Sequence, residues 1–122
     1  MADISYSMSM RVSKGYLDDL VSLSGGTASM DAVGMKSLTI TLSTNATSIS
    51  TANLSSVGMA FFRNLQTSTA STVTIGVDAA GFAGFSTLRS GEAGMLRLDS
   101  GVDYQAKGTA EGDRLRIDIT EG

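Results

Sequence analysis

Residues 3–13 read DISYSMSMRVS, and apolar and polar side chains alternate along this stretch without a break. Successive side chains of a β-strand point to opposite faces, so the alternation predicts a half-buried strand. The same period of two recurs in three later stretches, at 38–42, 73–77 and 115–119. These four stretches predict an all-β protein.

Further strand candidates lie between these stretches. Residues 57–65 (VGMAFFRNL) and 94–98 (GMLRL) are more continuously apolar, as in strands that are covered on both sides or lie at a subunit contact. Weaker candidates are 46–50, 82–88 and 102–107, which brings the number of strands to eight or nine. Turn-forming residues separate them at intervals of about ten residues, a spacing typical of sandwiches and barrels. We therefore expect one β-sandwich domain over residues 1–122, of jelly-roll or Greek-key type.

Two segments do not follow the strand pattern. Residues 16–21 (YLDDLV) have apolar side chains at helical spacing and predict a short helical turn. Residues 22–35 (SLSGGTASMDAVGM) predict a long flexible loop. Its apolar members are unusual for a solvated loop, and we expect them to pack against another subunit; these candidate interface residues are Leu23, Met30, Val33 and Met35.

The composition excludes most kinds of catalytic site and metal site. The chain has no Cys and no His, which excludes Cys/His zinc sites, thiol nucleophiles and Ser/His triads. Six of the twelve carboxylates lie beside glycines at 99–103 and 111–113 and in the pair at 18–19. Turn chemistry explains such positions, and a calcium site built from these loops is the alternative. We expect no enzyme, no cofactor and no catalytic or metal-binding residue.

Charge and hydropathy bear on the partners of the chain. The net charge is −3 and the nine basic residues are scattered along the sequence, which argues against nucleic acid. No run of eighteen apolar residues and no signal-peptide pattern is present, so we expect synthesis in the cytoplasm and no membrane partner. The alternating strand at 3–13 is expected to lie in the core or at a subunit contact.

Three segments in fixed order carry a resemblance to a known family. They are GMAFFRNL at 58–65, LRSGEAGMLRL at 88–98 and YQAKGTAEGDRLRIDI at 104–119. Together with the alternating first strand, they resemble small virion proteins of tailed bacteriophages, a family of jelly-roll-like capsid decoration or cement proteins. Members of that family commonly have Pro in the turn before Gly-Glu, where this chain has Ser90.

The resemblance implies a β-sandwich and a place in a virion, after synthesis in the host cytoplasm. The expected function is that of a capsid decoration subunit that binds the major capsid protein and forms a homo-oligomer, with a trimer favoured. One alternative is a neck, tail, baseplate or fibre-base component. Another is a carbohydrate-binding β-sandwich for host recognition, although the chain has no Trp and only three Tyr to form a sugar platform.

Overall fold

The computed structural model describes residues 3–30, 34–52, 54, 56–67, 71–99 and 101–121. Within these residues the chain forms ten β-strands and no helix, which confirms the all-β prediction. The chain divides into two compact units, Met1–Asp31 and Ala32–Gly122. The sandwich predicted for the whole chain corresponds to the second unit.

The first unit is a long antiparallel hairpin. Strand β1 (Ile4–Lys14) pairs with β2 (Leu17–Ala28), and the two are joined by a tight turn in which Gly15 has a φ of +59°. The register shifts between Tyr6 and Met8, so that β2 accommodates one extra residue as a bulge.

Strand β2 corrects two expectations. The prediction of a helical turn at 16–21 is wrong, because these residues lie in the turn and in β2. The loop that was expected over 22–35 is β-strand as far as Ala28. Both corrections follow from pairing with β1, which supplies backbone partners that local composition does not show. The two glycines serve this pairing: Gly25 has a φ of +73° at the bulge, and the Tyr6 ring lies so close over Gly26 that a Cβ there would meet it at 2.4 Å.

The second unit is a β-sandwich of two four-stranded antiparallel sheets. The first sheet has the order β3-β10-β5-β8 and the second has the order β4-β9-β6-β7. The eight strands are β3 (Met35–Leu42), β4 (Thr47–Ser48), β5 (Met59–Asn64), β6 (Thr72–Asp78), β7 (Phe82–Arg89), β8 (Ala93–Arg97), β9 (Tyr104–Gly108) and β10 (Asp113–Thr120).

The strands of the sandwich pair in a nested manner. The innermost pair is the β6–β7 hairpin, followed outward by β5 with β8, β4 with β9 and β3 with β10. Strand β10 also pairs with β5, and is therefore central in its sheet. The segment between residues 35 and 120 is thus arranged like one long hairpin that is folded over into two layers.

The core lies between the two sheets. The first sheet contributes Leu42, Phe62, Leu115, Ile117 and Ile119, and the second contributes residues such as Val73, Ile75 and Ala106; all of these are at most 2% exposed. In β10 every second side chain is buried, as the alternation at 115–119 predicts. Burial of such side chains is the main stabilising contribution to a sandwich of this size.

The nine strand candidates of the sequence all occur, with ends shifted by a few residues. The tenth strand is β2. The expectation for the first strand is wrong in one respect, because Met8 and Met10 are 46% and 59% exposed and no β1 residue belongs to the buried core. A subunit contact for β1 stays a prediction.

Candidate interaction surfaces

One face of the hairpin is apolar and exposed. The strand register places Met8 opposite Leu23 and Met10 opposite Val21, with Val12 following on the same face. The four facing side chains are between 46% and 59% exposed. We call these five residues the hairpin face. Met8, Met10, Val21 and Leu23 line an open, mostly apolar depression on the ribbon.

The opposite face of the same ribbon is mostly polar, although Leu20, which is 58% exposed, lies there opposite Arg11. Ser9 faces Ser22, and Arg11 forms an ion pair with Asp18 at 3.3 Å. Both charged side chains are more than 60% exposed, so water screens the pair and it contributes little to stability. The hairpin is therefore amphipathic, because the alternation of apolar and polar residues in the sequence places them on opposite faces of the ribbon.

The four predicted interface residues are not members of one loop. Leu23 belongs to the hairpin face in β2, whereas Met35 is the first residue of β3 in the sandwich and is 64% exposed. Met30 follows β2, is half-buried and donates its backbone N–H to Asp3 Oδ2 at 2.9 Å. Val33 lies outside the described residues.

A second surface covers the outer side of the sheet β3-β10-β5-β8. Four exposed arginines point away from the core there, each next to a buried or half-buried residue of its strand. Between them lie apolar side chains, among which Phe61 is 39% exposed. We call this surface the arginine face; it consists of Arg63, Arg97, Arg114 and Arg116 with Met35, Met59, Phe61 and Met95.

Among the described residues, one ion pair involves the arginine face. Arg116 Nε lies 3.2 Å from Asp118 Oδ2, and the Ser37 hydroxyl donates a hydrogen bond to the other carboxylate oxygen. The Ser37 hydrogen bond, aided by Arg116, holds the pKa of Asp118 below its usual range, although partial burial acts in the opposite direction. Arg63, Arg97 and Arg114 make no ion pair with any residue that the structure describes.

The arginine face was missed at the level of sequence. Alternation alone places Arg114 and Arg116 on the outer side of their strand. What brings Arg63 beside Arg116 is the register between β5 and β10, a pairing of segments far apart in the chain. Four of the nine basic residues, which are scattered along the sequence, are thus brought to one surface.

Of the carboxylates considered for metal binding, Asp113 serves a turn. Asp113 is 2% exposed and its Oδ2 accepts hydrogen bonds from the backbone of Thr109 and Ala110, which fixes the turn before β10. Glu92 Oε1 accepts from the backbone N–H of Arg89 at 2.7 Å in the turn after β7. Within the described part of the chain, no three carboxylates come together in a group that would hold a metal ion.

The described residues contain no helix long and apolar enough to cross a membrane. Comparison with protein-family models, with curated proteins and with solved structures found no match to this chain. Function therefore has to be argued from the two surfaces themselves.

Proposed function

We propose that the chain is a structural protein of a bacteriophage virion, a decoration subunit that stabilises the coat lattice by protein–protein contacts. The observation that carries this proposal is the exposed hairpin face. An isolated two-stranded hairpin is marginally stable in water, and an apolar face of this length is typical of a surface that another protein covers.

The nested strand order supports a jelly-roll type of sandwich. Each strand from β3 to β6 pairs with its counterpart in the reverse order of β10 to β7. A jelly roll has two sheets of four strands with this kind of arrangement, and it is used in viral capsid proteins. The segments at 58–65, 88–98 and 104–119 that resemble decoration proteins form β5, the β7–β8 turn with β8, and β9 with β10.

The proposal also fits the chemistry of the surfaces. Interfaces favour Met, Phe and Arg; the hairpin face contains two Met, and the arginine face contains all three residue types. Among the described residues, neither face contains a group of carboxylates suited to an ion. Attachment to the major capsid protein and oligomerisation, with a trimer favoured, belong to this proposal.

The test is the number of copies in a particle. We expect densitometry of purified virions to give a count comparable to that of the coat protein, and the purified chain to bind shells that lack it.

A double variant of the hairpin face, Met10→Asp with Val21→Asp, should occupy fewer sites, because two carboxylates would have to be buried at a contact. The matched control, Ser9→Asp with Ser22→Asp, adds the same charges to the polar face.

A count that fits one ring or a few rings would assign the chain to the neck or tail instead. Absence from purified virions would overturn the proposal altogether.

A further inference from the structure

We propose that the arginine face binds a protein surface that is acidic and partly apolar, which under the proposed function belongs to the major capsid protein. The inference deepens the proposed function and rests on it, because it names the surface of this chain that meets the coat lattice and the chemistry of the coat surface. The charges, the side-chain types and the area of this one sheet face all favour such a partner.

Positive charge is concentrated on the arginine face although the chain as a whole is acidic. The chain has nine basic and twelve acidic residues, and four of the basic ones but only one acidic one, Asp118, lie on the outer side of these four strands. The face therefore has a net charge of +3, and the five basic and eleven acidic residues elsewhere give a net charge of −6. An acidic partner is attracted to this face and repelled by the remainder of the chain.

The arginines are placed where they repel one another in the free chain. Arg63 lies directly opposite Arg116 on the neighbouring strand, and Arg114 lies two residues from Arg116 on the same side of β10. Like charges that face each other across a sheet lower its stability. The one carboxylate among them, that of Asp118, is already bound by Arg116 and Ser37. A partner that brings carboxylates to this group of arginines relieves the repulsion.

In the described part of the chain, the carboxylates at the rim of the face form no ion pair with its arginines. Glu92, in the turn before β8, accepts a hydrogen bond from a backbone N–H of its own turn. Asp113 and Glu121, at the two ends of β10, are 2% and 7% exposed. Asp99 is exposed but follows Arg97, towards the other end of the sheet. The excess of positive charge therefore lies with the other three arginines.

The side chains of the face favour a protein over a nucleic acid. Phe61 and three methionines lie among the arginines, and Phe, Met and Arg are the residue types that interfaces favour. Lysine is depleted in interfaces; the one lysine of these strands, Lys36, lies on the other side of the sheet and donates to Ser50 and Ala52. A guanidinium group pairs with a carboxylate through two parallel hydrogen bonds. A nucleic-acid duplex, by contrast, would extend beyond the face onto the acidic remainder of the chain.

The area of the face is sufficient for a specific contact. Four strands at a spacing of about 4.8 Å, with on average about seven residues at a rise of about 3.4 Å, give a flat area of about 450 Å². Complete coverage then removes at least about 900 Å² from water in total, because the long exposed side chains add to the flat area, and this is the lower end of the range for specific interfaces. Subunits that are linked in an oligomer bind more tightly through several such contacts.

The first experiment measures binding of the purified full-length chain to empty shells that lack it, at several salt concentrations. We expect Arg63→Glu to weaken binding at least about tenfold, and wild-type binding to fall more steeply with salt than that of the variant. The thermal midpoint of the variant should stay the same or rise, because the new carboxylate faces Arg116. Arg89→Glu, at an exposed arginine of the other sheet, is the matched control and should bind like wild type.

The second experiment uses the absence of lysine from the arginine face to identify the contact. A carbodiimide joins a lysine amine to a carboxylate in an amide bond without a spacer. We expect Arg63→Lys, which keeps the positive charge, to form such a bond on shells between residue 63 and an Asp or Glu of the coat protein, identified by mass spectrometry of the linked peptides. Arg89→Lys should form no such bond from residue 89.

Three outcomes would overturn the inference while the chain still binds shells. The first is equal binding of Arg63→Glu and wild type, and the second is a bond from residue 63 of Arg63→Lys to a second copy of this chain and not to the coat protein. The third is binding of duplex DNA that Arg63→Glu abolishes together with unchanged binding of this variant to empty shells, which would assign the face to nucleic acid. A wild-type chain that does not bind shells would contradict both the inference and the proposed function, so the two failures are distinguishable.

Discussion

Asn64 is a fully buried polar side chain at the end of β5. Its Nδ2 donates to the carbonyl of Leu88 at 3.1 Å, and its Oδ1 accepts from the backbone N–H of Gln66 at 3.0 Å. We expect Asn64→Ala to lower the free energy of unfolding by about 2–3 kcal/mol, because it leaves buried backbone groups without partners. Urea denaturation measures this loss. Asn45→Ala, at an exposed position, should change it by less than about 0.5 kcal/mol; equal effects would contradict the role of Asn64.

Asp118 gives the sandwich one pH-dependent contribution. Its pKa is lowered in the folded state, chiefly by the Ser37 hydrogen bond, so its stabilising effect is present above the unfolded pKa of about 3.9 and is lost as the pH falls through the folded value. We expect Ser37→Ala to raise the pKa of Asp118 and to reduce the loss of stability in acid. Carboxyl chemical shifts measured against pH report the change. An unchanged titration of Asp118 would contradict the assignment of Ser37 as the main cause.

At the level of elements, the β6–β7 hairpin depends on a close backbone contact. A Cβ at Gly76 would lie 2.3 Å from the carbonyl oxygen of Ala83, at the point where the register of the two strands shifts. We expect Gly76→Ala to cost at least about 2 kcal/mol of stability, because backbone atoms of β7 must move apart. Gly94→Ala is the control, since the nearest atom lies 4.0 Å away. Similar thermal transitions for both variants would show that the hairpin adjusts without loss.

The elements also show where sequence reasoning succeeds. Alternation located β1, β3, β6 and β10 because the period of two reflects burial on one side of a sheet. It failed for β2, where Gly25 and Gly26 indicated a loop. Their actual roles are set by a bulge and by the Tyr6 ring, both of which depend on the facing strand. A composition that favours a turn is compatible with a strand when its partner supplies the packing.

The candidate surfaces were only partly predictable for the same reason. Leu23 was recognised as an apolar residue in need of a partner, but its neighbours on the hairpin face belong to the strands β1 and β2 and not to a loop. The arginine face needs the relative register of β3, β10, β5 and β8, and no local pattern contains it. Local alternation determines on which side of the sheet a side chain lies, whereas the topology determines which residues of other strands lie next to it.

For the whole molecule, the two compact units lead to a prediction about truncation. The buried core contains only residues from 42 to 119 among those described, so a fragment of residues 34–122 should fold to the same sandwich. We expect its melting temperature to lie within about 5 °C of that of the monomeric full-length chain, equivalent to about 1 kcal/mol for a domain of this size. A fragment of residues 1–112 is the contrasting control and should not fold, because it lacks β10. A disordered 34–122 fragment would show that the hairpin is needed for folding.

The central position of β10 has a consequence for events at the ribosome. Ile40 in β3 pairs with Leu115 in β10, and β5 pairs with the other side of the same strand. At a rate of about 5–20 residues per second, β10 is synthesised about 4–15 seconds after β3. During this interval β3 and β5 have no strand between them, and the chain has no proline to guard their edges. Nascent chains on neighbouring ribosomes of one messenger RNA are therefore most exposed to mispairing in the seconds before residue 120 emerges.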